Sequence, residues 1–377
     1  VSSQNNKTHS ANGSSSRIPV SQPHLSGNEE AYVLDAIRST WISSTGHYVD
    51  RFEEEFSERC GAVGALSVCN GTAALHLALL ALGAGPGDEV IVPAMTYVAT
   101  ANAVRYTGAV PVFVDVDPNS WCLDPAQLEA AVTEHTVGVI PVHLFGNPAD
   151  MDAIQTVASS HGLWVLEDAA EAHFATYRGK PVGSLGDLGV FSFYGNKIIT
   201  SGEGGAVVDR DGRFVDRLRL FRGQGVESGQ RFYHSVIGYN YRLTNVACAL
   251  LCAQLEHSGE MLEQRRAVEA HYRELLPNSV CTFQKTVIGA SVPWIVGVLF
   301  ASLSERRNAE DALGRINVET RPFFVPLHKL PMYSAEGLVM PVAERLADTG
   351  LFLPTYPGLS RSDIQRVVDG IEGSLRG

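Results

Sequence analysis

From about residue 28 to residue 210 the chain alternates helical periodicity with short, almost wholly apolar runs, and that alternation leaves few folds open. The runs cover 89–92, 110–114, 137–142 and 163–166, followed by 189–193 and 205–208. A strand with one wet face alternates apolar and polar residues; runs without alternation belong to a sheet covered on both sides. The covering helices are read over 29–39 and 49–60, and over an Ala/Leu-rich stretch that Asn70-Gly71-Thr72 opens and Gly83 and Gly85 end. The expectation is an α/β fold. A large domain over 18–255 would hold a mostly parallel mixed sheet, and a smaller C-terminal α/β domain would cover 256–377. The boundary near Leu255 falls in or beside a long helix over 245–271, and a last helix spans 362–375.

With 377 residues, 45% of them hydrophobic, the chain can bury a core of that size. Residues 1–17 are Ser- and Asn-rich without an apolar core segment, so they read as a disordered tail rather than a targeting peptide. No apolar run approaches the roughly 20 residues of a membrane helix. A net charge of −12 argues against nucleic acid as a partner, yet leaves room for a small anion held by a few placed groups. The six cysteines form no CxxC pair, and Cys248 and Cys252 lie four apart on an apolar helix, as core residues do. That usage fits a reducing cytoplasm.

In a sheet of this kind ligands gather at the C-terminal strand ends, and four polar groups fall there: Asn70-Gly71-Thr72, Asp168, Ser192 and Lys197. The first follows Leu66-Ser67-Val68 and starts a helix, either as a plain N-cap or as a phosphate cradle. Asp168, just past the run 163–166, is either a cap or ion pair, or a carboxylate aimed at a cationic cofactor nitrogen. Lys197 sits among Phe, Ile and clustered Gly in Phe191-Ser192-Phe193-Tyr194-Gly195-Asn196-Lys197-Ile198-Ile199. A lysine in such company is desolvated, which lowers its pKa and frees the amine for a Schiff base; a solvated loop lysine is the plainer alternative.

Taken in order, Asn70-Gly71-Thr72, Met95-Thr96-Tyr97, Glu167-Asp168-Ala169-Ala170-Glu171-Ala172 and the segment from Ser192 to Gly205 resemble the sugar-nucleotide aminotransferases of fold-type I pyridoxal-phosphate enzymes. The likeness runs from about Ile18 to the C-terminus and includes Trp41-Ile42-Ser43-Ser44-Thr45-Gly46, Gly223-Gln224-Gly225 and Gly238-Tyr239-Asn240-Tyr241-Arg242. Within that family the chain looks most similar to the perosamine synthases, which aminate a GDP-linked 4-keto-6-deoxymannose. The resemblance implies pyridoxal 5'-phosphate as cofactor, an amino-acid donor such as L-glutamate, a nucleotide-linked keto sugar as acceptor, and a homodimer with shared sites. It implies that Lys197 holds the cofactor and moves the proton, and that Asp168 pairs with the ring nitrogen. Tyr97 would stack on the ring, Gly71, Thr72 and Ser192 would hold the phosphate, and Asn240 would reach it from the partner. Glu171 stands near the ring hydroxyl, where many relatives carry Gln or His.

Each further candidate keeps two readings. Ser43, Ser44 and Thr45 touch the sugar or form a polar turn; Arg242 lines an anionic entrance or pairs with a carboxylate. His328 faces the substrate sugar or packs in its loop. His173 reads as core or side wall, Asp115 and Asp117 as a strand end and turn, and no metal is expected. Lys197 argues against a deoxysugar dehydratase of the same fold, which carries histidine there. The absence of a basic helix-turn-helix segment argues against a sensor, and that of GxGxxG after the first strand against a nicotinamide dehydrogenase.

Overall fold

The computed structural model describes residues 16–227, 229–230, 232–334 and 337–375. Of the expected tail, residues 1–15 lie outside the described residues, while Arg17 bonds to Glu319 at 3.1 Å. Seven strands build the large sheet: β1 Gly64–Val68, β2 Glu89–Pro93, β3 Val110–Val114, β4 Thr136–Val139, β5 Trp164–Asp168, β6 Leu188–Ser192 and β7 Gly205–Asp209. Their order is β1-β7-β6-β5-β4-β2-β3. β7 runs against both of its neighbours, β1 and β6, and the other neighbours pair parallel. Every residue of β6 and β7 is buried, which is why these runs carry no polar alternation.

Two expected strand ends move by more than one residue. β4 stops at Val139 rather than 142, since Pro141 has no N–H to continue the ladder. β5 runs on through Asp168, which pairs with Val190 of β6 instead of lying beyond the strand. The carboxylate therefore stands on a backbone fixed by the ladder. On one face of the sheet the helix Gly71–Leu82 buries nine of its twelve residues. Asn70 caps it, accepting from Ala73 N at 2.8 Å, and Gly83 ends it in the left-handed conformation.

The helix Asn245–Leu275 runs unbroken through residue 255. It packs against helices Glu29–Arg38 and His47–Cys60 on the large-sheet side and against Arg361–Leu375 on the other. Beyond it lies a second, antiparallel sheet of β8 Thr282–Phe283, β9 Val296–Leu299, β10 Arg321–Pro322 and β11 Gly350–Leu353, in the order β8-β9-β11-β10. The strap at Ile18 and Val20 joins this part: Glu319 N donates to the Ile18 carbonyl at 2.8 Å and Thr355 N to that of Val20 at 2.9 Å. Among the described residues no helix is long and apolar enough to cross a membrane.

Candidate active site

The strand ends of the large sheet converge on one cavity of about 820 Å³, and seven of the expected residues line it: Gly71, Thr72, Tyr97, Asp168, Glu171, Ser192 and Lys197. Gly71 and Ser192 are so close that a Cβ on Gly71 would lie 2.8 Å from the Ser192 Cβ. Only glycine leaves the first N–H groups of the helix open beside the serine hydroxyl, and those groups have no partner within the helix itself. A hydroxyl, free N–H groups and the positive end of a buried helix make a cradle for a phosphate.

Asp168 is buried, and both its oxygens are held. Oδ2 accepts from Thr100 Oγ1 at 2.8 Å and Oδ1 from Ala170 N at 3.2 Å. Burial pushes its carboxyl above the ordinary range, opposed by those two bonds and by the charge on Lys197. Lys197 approaches Glu171, its Nζ 3.7 Å from Oε1, with 12% of its side chain exposed. The other Glu171 oxygen accepts from Phe145 N at 3.0 Å, and burial raises this carboxyl as well. Burial lowers the Lys197 ammonium, against the pull of Glu171 and Asp168. An amine drawn down by desolvation between two carboxylates is poised to gain and lose a proton, the property a Schiff-base lysine needs.

The opposite wall comes from far along the chain. The Trp294 ring centre lies 4.2 Å from Lys197 Nζ, a cation–π contact. Its Nε1 donates to the Asn196 carbonyl at 2.8 Å, and its own carbonyl accepts from the buried Arg265 at 2.8 Å. Phe324 packs edge-on to Tyr97 with ring centres 5.8 Å apart, and Arg321 joins the lining. Sequence reasoning missed Thr100, Trp294 and Arg321. Thr100 lies in the first turn of the helix Ala99–Tyr106, just after Met95-Thr96-Tyr97; nothing local marked the other two.

Six expected residues do not line this cavity. Ser44, Thr45 and Arg242 line a second one of about 750 Å³, together with Trp41, Arg219 and Arg222. Ser43 is exposed, and its carbonyl accepts from Asn245 N at 2.5 Å. Asn240 is exposed in a segment that bridges Gly223. His328 is buried, with Nε2 3.0 Å from Glu344. That contact, with Lys329 beside it, holds the Glu344 carboxyl down at about 2. His173 is core: it packs on Phe191 and Phe193, and burial lowers it to about 3. Asp115 accepts from Val342 N and Ala343 N, both at 2.9 Å, and Asp117 from Asn119 N and Ser120 N.

A lysine, a strand-end aspartate and a glycine–serine anion cradle around one cavity agree with the family description that matches residues 23–372, the DegT/DnrJ/EryC1/StrS aminotransferase family. The chain belongs to this family. Its similarity to a GDP-perosamine synthase of Caulobacter vibrioides is 47% identity over 95% of this chain and 98% of the relative. With a GDP-perosamine synthase of Escherichia coli O157:H7 it is 43% over 94% and 97%. Spr1654 of Streptococcus pneumoniae, solved in a PLP-form, superposes with a TM-score of 0.90 at 27% identity, over 96% of this chain and 99% of that one. Members of the family are pyridoxal-phosphate aminotransferases, and the residues present fit that cofactor: an amine for its aldehyde, a carboxylate for its ring nitrogen and a cradle for its phosphate.

Proposed function

We propose that this aminotransferase moves the amino group of an amino acid, L-glutamate, onto GDP-4-keto-6-deoxymannose, in the manner of a perosamine synthase. The observation that carries this reading is the dry triad of Lys197, Asp168 and Glu171 in a cavity of substrate size, on a chain that matches GDP-perosamine synthases nearly end to end.

When bound, pyridoxal phosphate supplies an electron sink for the C–H bond beside the nitrogen. Lys197 would hold the cofactor through its amine and would carry the proton at the reacting carbon. Asp168, fixed by Thr100 and Ala170 N, would keep a proton on the ring nitrogen. Gly71, Thr72 and Ser192 would hold the phosphate, and Tyr97 would stack on the ring. Glu171 steadies the free ammonium of Lys197 from one side, and the Trp294 ring does so from the other.

Asn240, Arg242, Ser43, Thr45 and His328 do not line the cavity of their own chain, which supports an arrangement in which Asn240 reaches the phosphate in a second copy's cavity. In that homodimer Ser43, Thr45 and Arg242 meet the nucleotide sugar from across the interface, and His328 supports the sugar pocket from behind. Residues 18–255 form the cofactor-binding unit and 256–377 the smaller one. Six free cysteines suit a cytoplasmic enzyme. The test is a panel of keto sugar nucleotides with L-glutamate. GDP-4-keto-6-deoxymannose should give a higher kcat/KM than dTDP-4-keto-6-deoxyglucose or UDP-linked 3- and 4-keto sugars; the opposite ranking would move the enzyme to another acceptor.

A further inference from the structure

The first half of the transfer requires the cavity to accept an amino acid, and so to place at least one carboxylate in a site that already holds Asp168, Glu171 and Glu203. Among the described residues lining the cavity, two side chains are basic, Lys197 and Arg321. Lys197 is committed to the cofactor. Arg321 stands on β10, whose backbone pairs with β11 at Phe352, so its position is set by a sheet rather than a loop. Its Nη2 bonds to Glu319 Oε1 at 3.0 Å. The other Glu319 oxygen is held by Arg17 at 3.1 Å and by Val20 N at 3.3 Å. Glu319 thus anchors one corner of the guanidinium, and the remaining N–H groups have no protein partner among the described residues.

Resting on the aminotransferase reading, we propose that Arg321 is the anchor for a carboxylate of the amino-acid donor, oriented for that task by Glu319. A planar guanidinium with an open edge matches a carboxylate through two parallel hydrogen bonds. The acceptor makes a different demand. The diphosphate of a nucleotide-linked sugar lies beyond the hexose ring from a 4-keto carbon, whereas the α-carboxylate of an amino acid is one bond from its reacting carbon. A cation in the cavity lining therefore serves the donor. The diphosphate charge falls farther out, towards residues such as Arg242.

The experiment compares the holoenzyme with Arg321→Gln and Glu319→Gln. Three quantities are measured: the L-glutamate dependence of the loss of the visible cofactor band without acceptor, the calorimetric Kd of glutarate (a dicarboxylate with no amine), and KM for the keto sugar nucleotide. Arg321→Gln should weaken L-glutamate and glutarate together by about 10- to 100-fold, the range for a charged hydrogen-bonded pair, and leave KM for the sugar nucleotide within about threefold. Glu319→Gln should shift both donors the same way by less. The melting point should hold, because the Arg321 side chain is 56% exposed. The proposal is overturned if glutarate does not bind the parent, if donor affinity survives Arg321→Gln, or if the sugar nucleotide loses more than the donor. Failure of the aminotransferase reading would show elsewhere, as a parent enzyme whose cofactor band no amino acid changes.

Discussion

Asp168→Asn separates a catalytic carboxylate from a structural one. Asp168 accepts one bond from Thr100 Oγ1 at 2.8 Å and one from Ala170 N at 3.2 Å. The amide can keep its carbonyl on Ala170 N and turn its NH2 to Thr100 Oγ1, which can in turn donate to Thr96 Oγ1, 3.2 Å away. At most one neutral hydrogen bond is at stake, ~1 kcal/mol, or ~2 °C in melting temperature for a chain of this size. Relief of a buried charge works the other way. Burial raises Asp168, so between its ordinary pKa and the folded one the cofactor-free protein keeps a proton that the unfolded chain has lost. The stability of the parent therefore falls as pH rises through that window, and that of the variant, relative to it, should grow.

Turnover should behave differently. Removing one partner of a buried charged pair costs ~3–5 kcal/mol, which is about 100- to 5,000-fold at one decade per ~1.36 kcal/mol. The assay pairs kcat, from glutamate-dependent amination of the keto sugar nucleotide, with melting curves taken with and without cofactor. A kcat within about threefold of the parent together with a melting point several degrees lower would refute the argument. Asp168 would then be a structural carboxylate only.

Lys197→Ala should lose the visible cofactor band and at least ~1,000-fold in turnover while the cofactor-free melting point stays within a few degrees; a retained band would assign the cofactor to another lysine. Lys197→Ala mixed with Asn240→Ala, under conditions where subunits exchange, should recover about a quarter of full activity if sites are shared, since about half of the dimers are mixed and each of those has one intact site. With exchange shown independently, no recovery would mean that both residues serve one subunit's site. His173→Phe should leave the pH profile unchanged, because a histidine buried down to about 3 is neutral throughout the working range; a shifted limb would give it a proton to carry.

The sequence carried the large sheet well because its signals are local. Val110–Val114 lies where its unbroken apolar run puts it, and Asn70 and Gly83 bound their helix by cap chemistry that acts within four residues. Lys197 stood out by the apolar, Gly-rich company of its segment and Asp168 by its place just past an apolar run, and both line the cavity. Where a partner lies far along the chain the signal fails. Asp115 read as a strand end and turn, yet its carboxylate also holds Val342 N and Ala343 N, more than 220 residues away. The contact between Lys197 and Trp294 also joins segments far apart in the chain, and no periodicity records it. His328 was read by its motif, which gives a position in the chain but not the depth at which Glu344 holds it.

The same division explains why the reaction class was easier to read than the substrate. Gly71, Asp168, Glu171, Ser192 and Lys197, which share the cavity, stand at or just beyond the ends of β1, β5 and β6 of one sheet, so the segments that follow those strands nearly assemble them. The facing wall, Trp294, Arg321 and Phe324, comes from the second sheet and its connections. Arg265 of the long helix reaches that wall at the Trp294 carbonyl, 2.8 Å away, from a site so dry that the guanidinium falls to about 10. Asp168 and Arg321 thus rest on different sheets joined by the helix Asn245–Leu275. Changes in β10 or its flanks can re-aim Arg321 and Phe324 without touching the ladder that fixes Asp168. On this geometry, substitutions at Arg321 or its flanks should alter how the donor is held far more than how the proton is moved.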